Sequence, residues 1–236
     1  MLVKTRGILL HTLAYGESSV IAEIYTEEIG MRKYILNGAR GKNSRIKPSC
    51  LQVMALLNLV VYEKNIGHLQ RIREISNAEV YRGIPFNLYK GSMGLFMADV
   101  IRKAIRQTNP EPGLFDFLYR SFVTLDQMEE RNPVYHLIFL LQLSGYLGFQ
   151  PILPPDYGDN YFFNMREGCF ETDIPDHRDF ADVETSALLG KLMVDSVTPL
   201  KKKERALILE VLIKYYRLHI EGFPEIQSHH ILRQVL

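Results

Sequence analysis

From Leu2 to about residue 80 the chain runs in short apolar stretches broken by Gly-containing turns. Leu2 to Leu13 is rich in Val, Thr, Ile and Leu and closes at Ala14-Tyr15-Gly16-Glu17. Ser18 to Thr26 follows and ends at Glu27-Glu28-Ile29-Gly30. Met31 to Ala39 makes a third run, and Leu51 to Tyr62 a fourth after Pro48. Asn65-Ile66-Gly67 turns the chain into a fifth, His68 to Ile75, although Leu69, Ile72 and Ile75 also fit a helical spacing. Five strands at this spacing predict a small β-barrel or sandwich.

Beyond Tyr81 the period lengthens. Phe86 to Gln107 places Leu95, Met97, Ile101 and Ile105 at helical intervals, and Asn109-Pro110-Glu111-Pro112 breaks the chain. A second helix is predicted over Gly113 to Glu129. Asn132-Pro133 reads as a cap and first helical position for a third, Val134 to Leu147, whose apolar circumference predicts a buried centre. Tyr161 to Phe163 and Cys169 to Glu171 read as a hairpin around a turn at Asn164 to Gly168. Val183 to Asp195 is helical again, Thr198-Pro199 reads as the start of a long helix to His219, and a last turn or two covers Ser228 to Gln234. The fold class is therefore α+β, with a β domain over 1–80, a helical domain over 81–236 and an insertion at about 150–180.

With 236 residues, the chain accommodates one large domain or two smaller ones. Its net charge of +1 gives no sign of a polyanionic partner, but the charge is unevenly spread. Residues 1–80 carry 11 Lys/Arg against 7 Asp/Glu, and residues 81–236 carry 17 against 20. The positive field belongs to the β domain. Two cysteines, Cys50 and Cys169, are too few for a disulfide framework or a four-thiolate zinc site. The first residues lack a signal-peptide pattern and no run approaches a membrane span, so a cytoplasmic protein is expected.

Arg32 to Lys47 concentrates the charge: Arg32, Lys33, Arg40, Lys42, Arg45 and Lys47, with no Asp or Glu among them. A Gly/Asn/Ser-rich loop with a cation at every second or third place suits a phosphate backbone, and also suits a solvated surface. If Arg40, Lys42, Arg45 and Lys47 each neutralise one phosphate of a single strand, log K should fall with log salt at a slope of roughly −2.8. Tyr15, Tyr25, Tyr34 and Tyr62 are candidates for stacking a base or for packing the sheet. Lys201, Lys202 and Lys203 stand at the start of a predicted helix, where the macrodipole disfavours cations unless they are solvated or meet an anion. Arg102, Lys103 and Arg106 form another cationic group.

Enzyme motifs fail on inspection. In Gly38-Ala39-Arg40-Gly41-Lys42-Asn43, a phosphate-binding P-loop would need glycine in place of Leu36 and Ser or Thr in place of Asn43. Gly16-Glu17-Ser18-Ser19-Val20 lacks the last glycine of a nucleophile elbow and lies between strands. Cys169, Asp173, Asp176 and His177 offer no paired Cys-x-x-Cys, and His229-His230 would point to different helix faces. No catalytic residue and no metal site is expected.

Several motifs occur together: Gly7-Ile8-Leu9-Leu10, Tyr15-Gly16-Glu17-Ser18-Ser19, Tyr25-Thr26 before Gly30, and Asn37-Gly38-Ala39-Arg40 before Lys42 and Ser44. Gly145-Tyr146-Leu147-Gly148-Phe149 before Pro151, and Ser228 before Ile231-Leu232, continue the series. Taken in order they resemble the RecO family of bacterial recombination mediators, over essentially the whole chain. The resemblance implies an OB-fold barrel in the first 80 or so residues and a helical domain after it. It implies binding of single- and double-stranded DNA, annealing of complementary strands and, with RecR, loading of RecA onto DNA coated by single-strand-binding protein. It places the glycine-and-basic loop at Gly38, Arg40, Lys42 and Ser44. The helical domain would grip the acidic tail of single-strand-binding protein, with Arg102/Lys103/Arg106 or Lys201/Lys202/Lys203 as the cationic rim. Many relatives carry a four-cysteine zinc module where this chain has Cys169 alone, so no zinc or other cofactor is expected. An RNA-binding OB protein and a non-enzymatic interaction scaffold are the rival readings.

Overall fold

The computed structural model describes the chain apart from residues 42–43, 64–68, 106–108, 159, 197, 227 and 229–236. The chain forms two compact units, Met1–Met128 and Glu129–Leu236. The change from strand to helix falls near residue 80, but compact packing of the first unit continues to Met128.

Five strands build the first unit: β1 (Leu2–Tyr15), β2 (Ser19–Thr26), β3 (Gly30–Leu36), β4 (Leu56–Tyr62) and β5 (Gln70–Asn77). They close into a barrel in the order β1-β2-β3-β5-β4, with β4 pairing back to β1 and β3 parallel to β5. This is the five-stranded Greek-key arrangement of an OB-like barrel, the expected fold class. Two expectations shift in detail. The fourth strand, expected from Leu51, starts at Leu56, and Leu51 instead ends a 3₁₀ turn, Pro48–Leu51. The fifth segment is a strand, because its pairing with β3 and β4 outweighs the helical spacing of its apolar residues.

Alternate residues of each strand fill the barrel: Leu9, Ile24, Tyr34, Leu36, Leu57 and Val61 are all buried. Gly7 lets three strands approach, since a Cβ there would stand 2.7 Å from Ile24 Cγ2 and 2.8 Å from Leu59 Cδ1. Helix α1 (Leu88–Ala104) starts where the Asn87 side chain accepts from Tyr89 N (3.0 Å) and Lys90 N (3.3 Å). Helix α2 (Pro112–Gln127) brings Asp116, Phe115 and Tyr119 to Arg6 of β1. Arg6 forks onto both Glu27 carboxylate oxygens (2.7 and 2.8 Å), with its guanidinium carbon 4.8 Å from the Tyr119 ring centroid.

In the second unit, α3 (Tyr135–Tyr146) packs against α4 (Val183–Val194) and α5 (Lys202–His219). Its buried Leu137, Phe139, Leu140 and Leu143 make it the centre that its apolar circumference predicts. Tyr216 of α5 donates to Leu140 O at 2.7 Å. Both cap-plus-proline expectations place a helix start too early. Asn132 Oδ1 accepts from Val134 N in a turn before α3, and Thr198 Oγ1 donates to Asp195 O in a turn before α5. The hairpin, β6 (Phe162–Asn164) and β7 (Cys169–Glu171), gains a third strand, β8 (Phe180–Ala181). Only Ser228 of the predicted last helix lies among the described residues.

Candidate nucleic-acid interface

The basic stretch leaves the barrel at the end of β3 and is anchored twice. Gly38 takes a positive φ (+68°), which turns the chain so that Arg40 N donates to Ser18 O at 2.8 Å. The Arg40 guanidinium then donates to three carbonyls of the β1–β2 turn: Gly16 (2.6 Å), Glu17 (3.1 Å) and Ser19 (3.2 Å). The second anchor is apolar: Ile46 and Leu51 pack against the barrel core, of which Cys50 is a buried member. Between the anchors, Arg45-Ile46-Lys47 alternates out, in, out, with both cations exposed.

The six predicted cations therefore differ in role. Arg32 is paired to Glu63 (3.4 Å), its side chain only 9% exposed. Lys33 reaches Glu23 at 3.2 Å. Arg40 is exposed but spends its donors on the turn carbonyls. Arg45 and Lys47 form no ion pair with any described residue. Lys42 lies outside the described residues.

The structure also sorts the four tyrosines. Tyr25 and Tyr34 are 1% and 0% exposed and belong to the core, whereas Tyr15 and Tyr62 are 52% and 41% exposed. Tyr62 ends a row of register partners that crosses all five strands: Leu13↔Ile21↔Ile35↔Arg71↔Tyr62. Its members face outward, beside the β1–β2 turn and just before the basic stretch. Sequence reading missed Leu13, Ile21, Ile35 and Arg71, because each strand looks apolar on both faces and only the register aligns them. The one available signal was Arg71, a cation four residues after Gly67, inside the predicted fifth strand.

The two cationic rims also part company. Arg102 donates to Glu23 (Nε–Oε2 2.5 Å) and Lys103 pairs with Asp99 (2.8 Å), while Arg106 lies outside the described residues. Lys201, Lys202 and Lys203 are exposed and form no ion pair among the described residues. Glu204 offsets their charge at the helix start by accepting from Lys201 N at 2.6 Å. Leu207, 47% exposed, lies one turn beyond Lys203.

Two family models match the chain. The one described as Recombination protein O N terminal matches residues 1–81, and Recombination protein O C terminal matches residues 85–227. The DNA repair protein RecO of Phocaeicola vulgatus is 31% identical over 240 residues, covering 100% of this chain and 99% of the relative. RecO of Bacteroides fragilis is 31% identical over 241 residues and that of Flavobacterium psychrophilum 28% over 242, with the same shares covered.

The chain belongs to the RecO family. Membership supports a role in DNA repair and recombination. In this RecO chain the region after Pro151, which carries Cys169 as its one cysteine, contains the β6–β8 sheet. Cys169 Sγ lies 3.3 Å from Glu171 Oε1, and Asp179 joins Arg166 (2.8 Å) and Lys214 (3.0 Å). His177 Nδ1 accepts from Asp179 N at 3.1 Å. Among the described residues no three His, Cys, Asp or Glu side chains converge as a metal site, and no helix is long and apolar enough to cross a membrane.

Proposed function

We propose that this chain is a non-enzymatic, DNA-binding recombination mediator, and that the loop from Arg40 to Lys47 is its phosphate contact. The observation that carries this is the Arg45-Ile46-Lys47 segment, whose two cations face solvent without carboxylate partners among the described residues while half-buried Ile46 packs against the barrel core. Cations presented on a fixed backbone bind phosphates without reading bases. Such contacts serve single and double strands alike and leave base edges free to pair, which is the physical requirement for annealing.

Handover from single-strand-binding protein needs a second surface. Lys201 to Lys203 beside exposed Leu207 supply a cationic rim next to an apolar side chain, the chemistry that fits an acidic tail ending in an aromatic residue. Arg102 and Lys103 are less suited, because internal carboxylates already engage them. Cooperation with RecR in loading RecA belongs to this reading at the level of the family, and the proposed work needs no cofactor.

The test is annealing of complementary oligonucleotides pre-coated with the cognate single-strand-binding protein, with RNA as competitor. The reading expects annealing above the protein-free rate and a marked loss on Lys201→Ala/Lys202→Ala/Lys203→Ala. No acceleration, or full suppression by RNA at concentrations where single-stranded DNA competes weakly, would overturn it.

A further inference from the structure

The phosphate loop accounts for charge but leaves the outward row Leu13, Ile21, Ile35, Arg71 and Tyr62 without a task. Leu13, Arg71 and Tyr62 are exposed and Ile21 and Ile35 half-buried, so the row keeps apolar surface on the barrel exterior. At about 4.8 Å between strands it extends over roughly 19 Å around the barrel. Leu13 is 57% and Tyr62 41% exposed, and Tyr15, 52% exposed, stands two residues beyond Leu13 on the same face.

We propose that this row is a base-stacking lane for single-stranded nucleic acid, with Tyr62 and Tyr15 as its flat surfaces and Arg71 as its own phosphate contact. The inference rests on the DNA-binding reading above and deepens it.

Charge and position select the occupant. The row contains no carboxylate, and its one ionised member, Arg71, forms no ion pair among the described residues. Two neighbouring carboxylates are already engaged: Glu23, two residues from Ile21, binds Lys33 and Arg102, and Glu63, next to Tyr62, binds Arg32, while Glu17, two residues past Tyr15 in the β1–β2 turn, is exposed. The face is therefore apolar with a positive centre. Ile35 stands three residues before Gly38, where the chain turns into the basic loop, so the lane reaches the start of that loop. Single strands are held by this combination of a cationic track and aromatic faces. A duplex hides its base faces in the stack and would gain nothing from Tyr62 or Tyr15.

Stacking and charge have separable signatures. Neutralising a phosphate contact changes the slope of log K against log salt, whereas losing a stacked base lowers log K equally at every salt concentration. The experiment measures binding of labelled oligothymidylate and of a duplex by the full-length protein and its Tyr62→Ala, Tyr62→Phe and Tyr62→Leu variants, from 50 to 300 mM salt. The lane predicts that Tyr62→Ala binds the single strand about tenfold more weakly with an unchanged slope. Tyr62→Phe should match the parent protein, Tyr62→Leu should resemble Ala, and duplex binding should not change. Arg71→Ala should flatten the single-strand slope by about 0.7.

Parent-like single-strand binding by Tyr62→Ala, or equal losses on single strand and duplex, would overturn the lane while leaving the DNA-binding reading intact. That result would also be expected if the face served a protein partner. Failure of the parent protein to bind either DNA at low salt would overturn the reading itself. Tyr62→Phe guards against misfolding as an explanation, since it removes only the exposed hydroxyl.

Discussion

Replacing Arg45 and Lys47 together by alanine tests whether the free cations of the loop, rather than all its cations, meet phosphate. Of the described cations between Arg32 and Lys47, three are engaged internally, by Glu63, Glu23 and the β1–β2 turn carbonyls. Arg45 and Lys47 form no ion pair among the described residues. At about 0.7 per phosphate of a single strand, removing two contacts should flatten the salt slope by about 1.4. Between about 50 and 200 mM salt the variant should then lose about sevenfold less affinity than the parent. If the two lines meet near 1 M, the variant binds about 25-fold more weakly at 0.1 M. Lys33→Ala is the matched control. Its ammonium lies 3.2 Å from Glu23, a carboxylate it shares with Arg102, so its loss should flatten the slope by less than the roughly 0.7 of an unpaired cation. Fluorescence anisotropy across a salt series measures both. An unchanged slope in the double variant, or an equal change in Lys33→Ala, would refute the sorting of cations by partner.

Two further outcomes follow from the packing. The Glu27 carboxyl is held below its ordinary value near 4.5, chiefly by hydrogen bonds from Arg6, with burial acting the other way. A depressed folded-state pKa adds stability that is fully present above the unfolded value and lost as pH falls through the folded one. Urea melts should show the parent losing more stability than Glu27→Gln below about pH 4.5, with the variant weaker by about 1.5–3 kcal/mol at pH 7; parallel pH profiles would contradict this. The Cys169 thiol is pushed up to about 11, first by burial and then by its hydrogen bond to Glu171. Alkylation of Cys169 should be slow at pH 8 and rise only toward pH 11, and added Zn²⁺ should leave the melting temperature unchanged. Rapid labelling at pH 7 or a zinc-dependent rise in melting temperature would show otherwise.

The element types were legible along the chain because they depend on local period and turn chemistry. Short apolar runs closed by Gly-containing turns marked the strands, and the apolar circumference of α3 marked a buried helix. Element ends were less legible. Leu51 reads as the start of a strand until it is seen to end the 3₁₀ turn Pro48–Leu51, and Thr198-Pro199 reads as a helix start until Glu204 is seen capping Lys201.

The amino-acid sequence by itself determined that this protein has a β part followed by a helical part, that its positive charge gathers in one loop, and which family its motifs resemble. Those properties are carried by composition and by residues close together in the chain. Only the tertiary structure decided which cations remain available, since Arg32, Lys33 and Arg40 are engaged by groups 31, 10 and 24 residues away in sequence. It also decided which tyrosines face solvent, because strand register assigns each side chain to the core or the surface, and a shift of one residue reverses the assignment. The Leu13–Tyr62 row exists only through that register. Its five members come from five strands, and no local pattern could have placed them side by side.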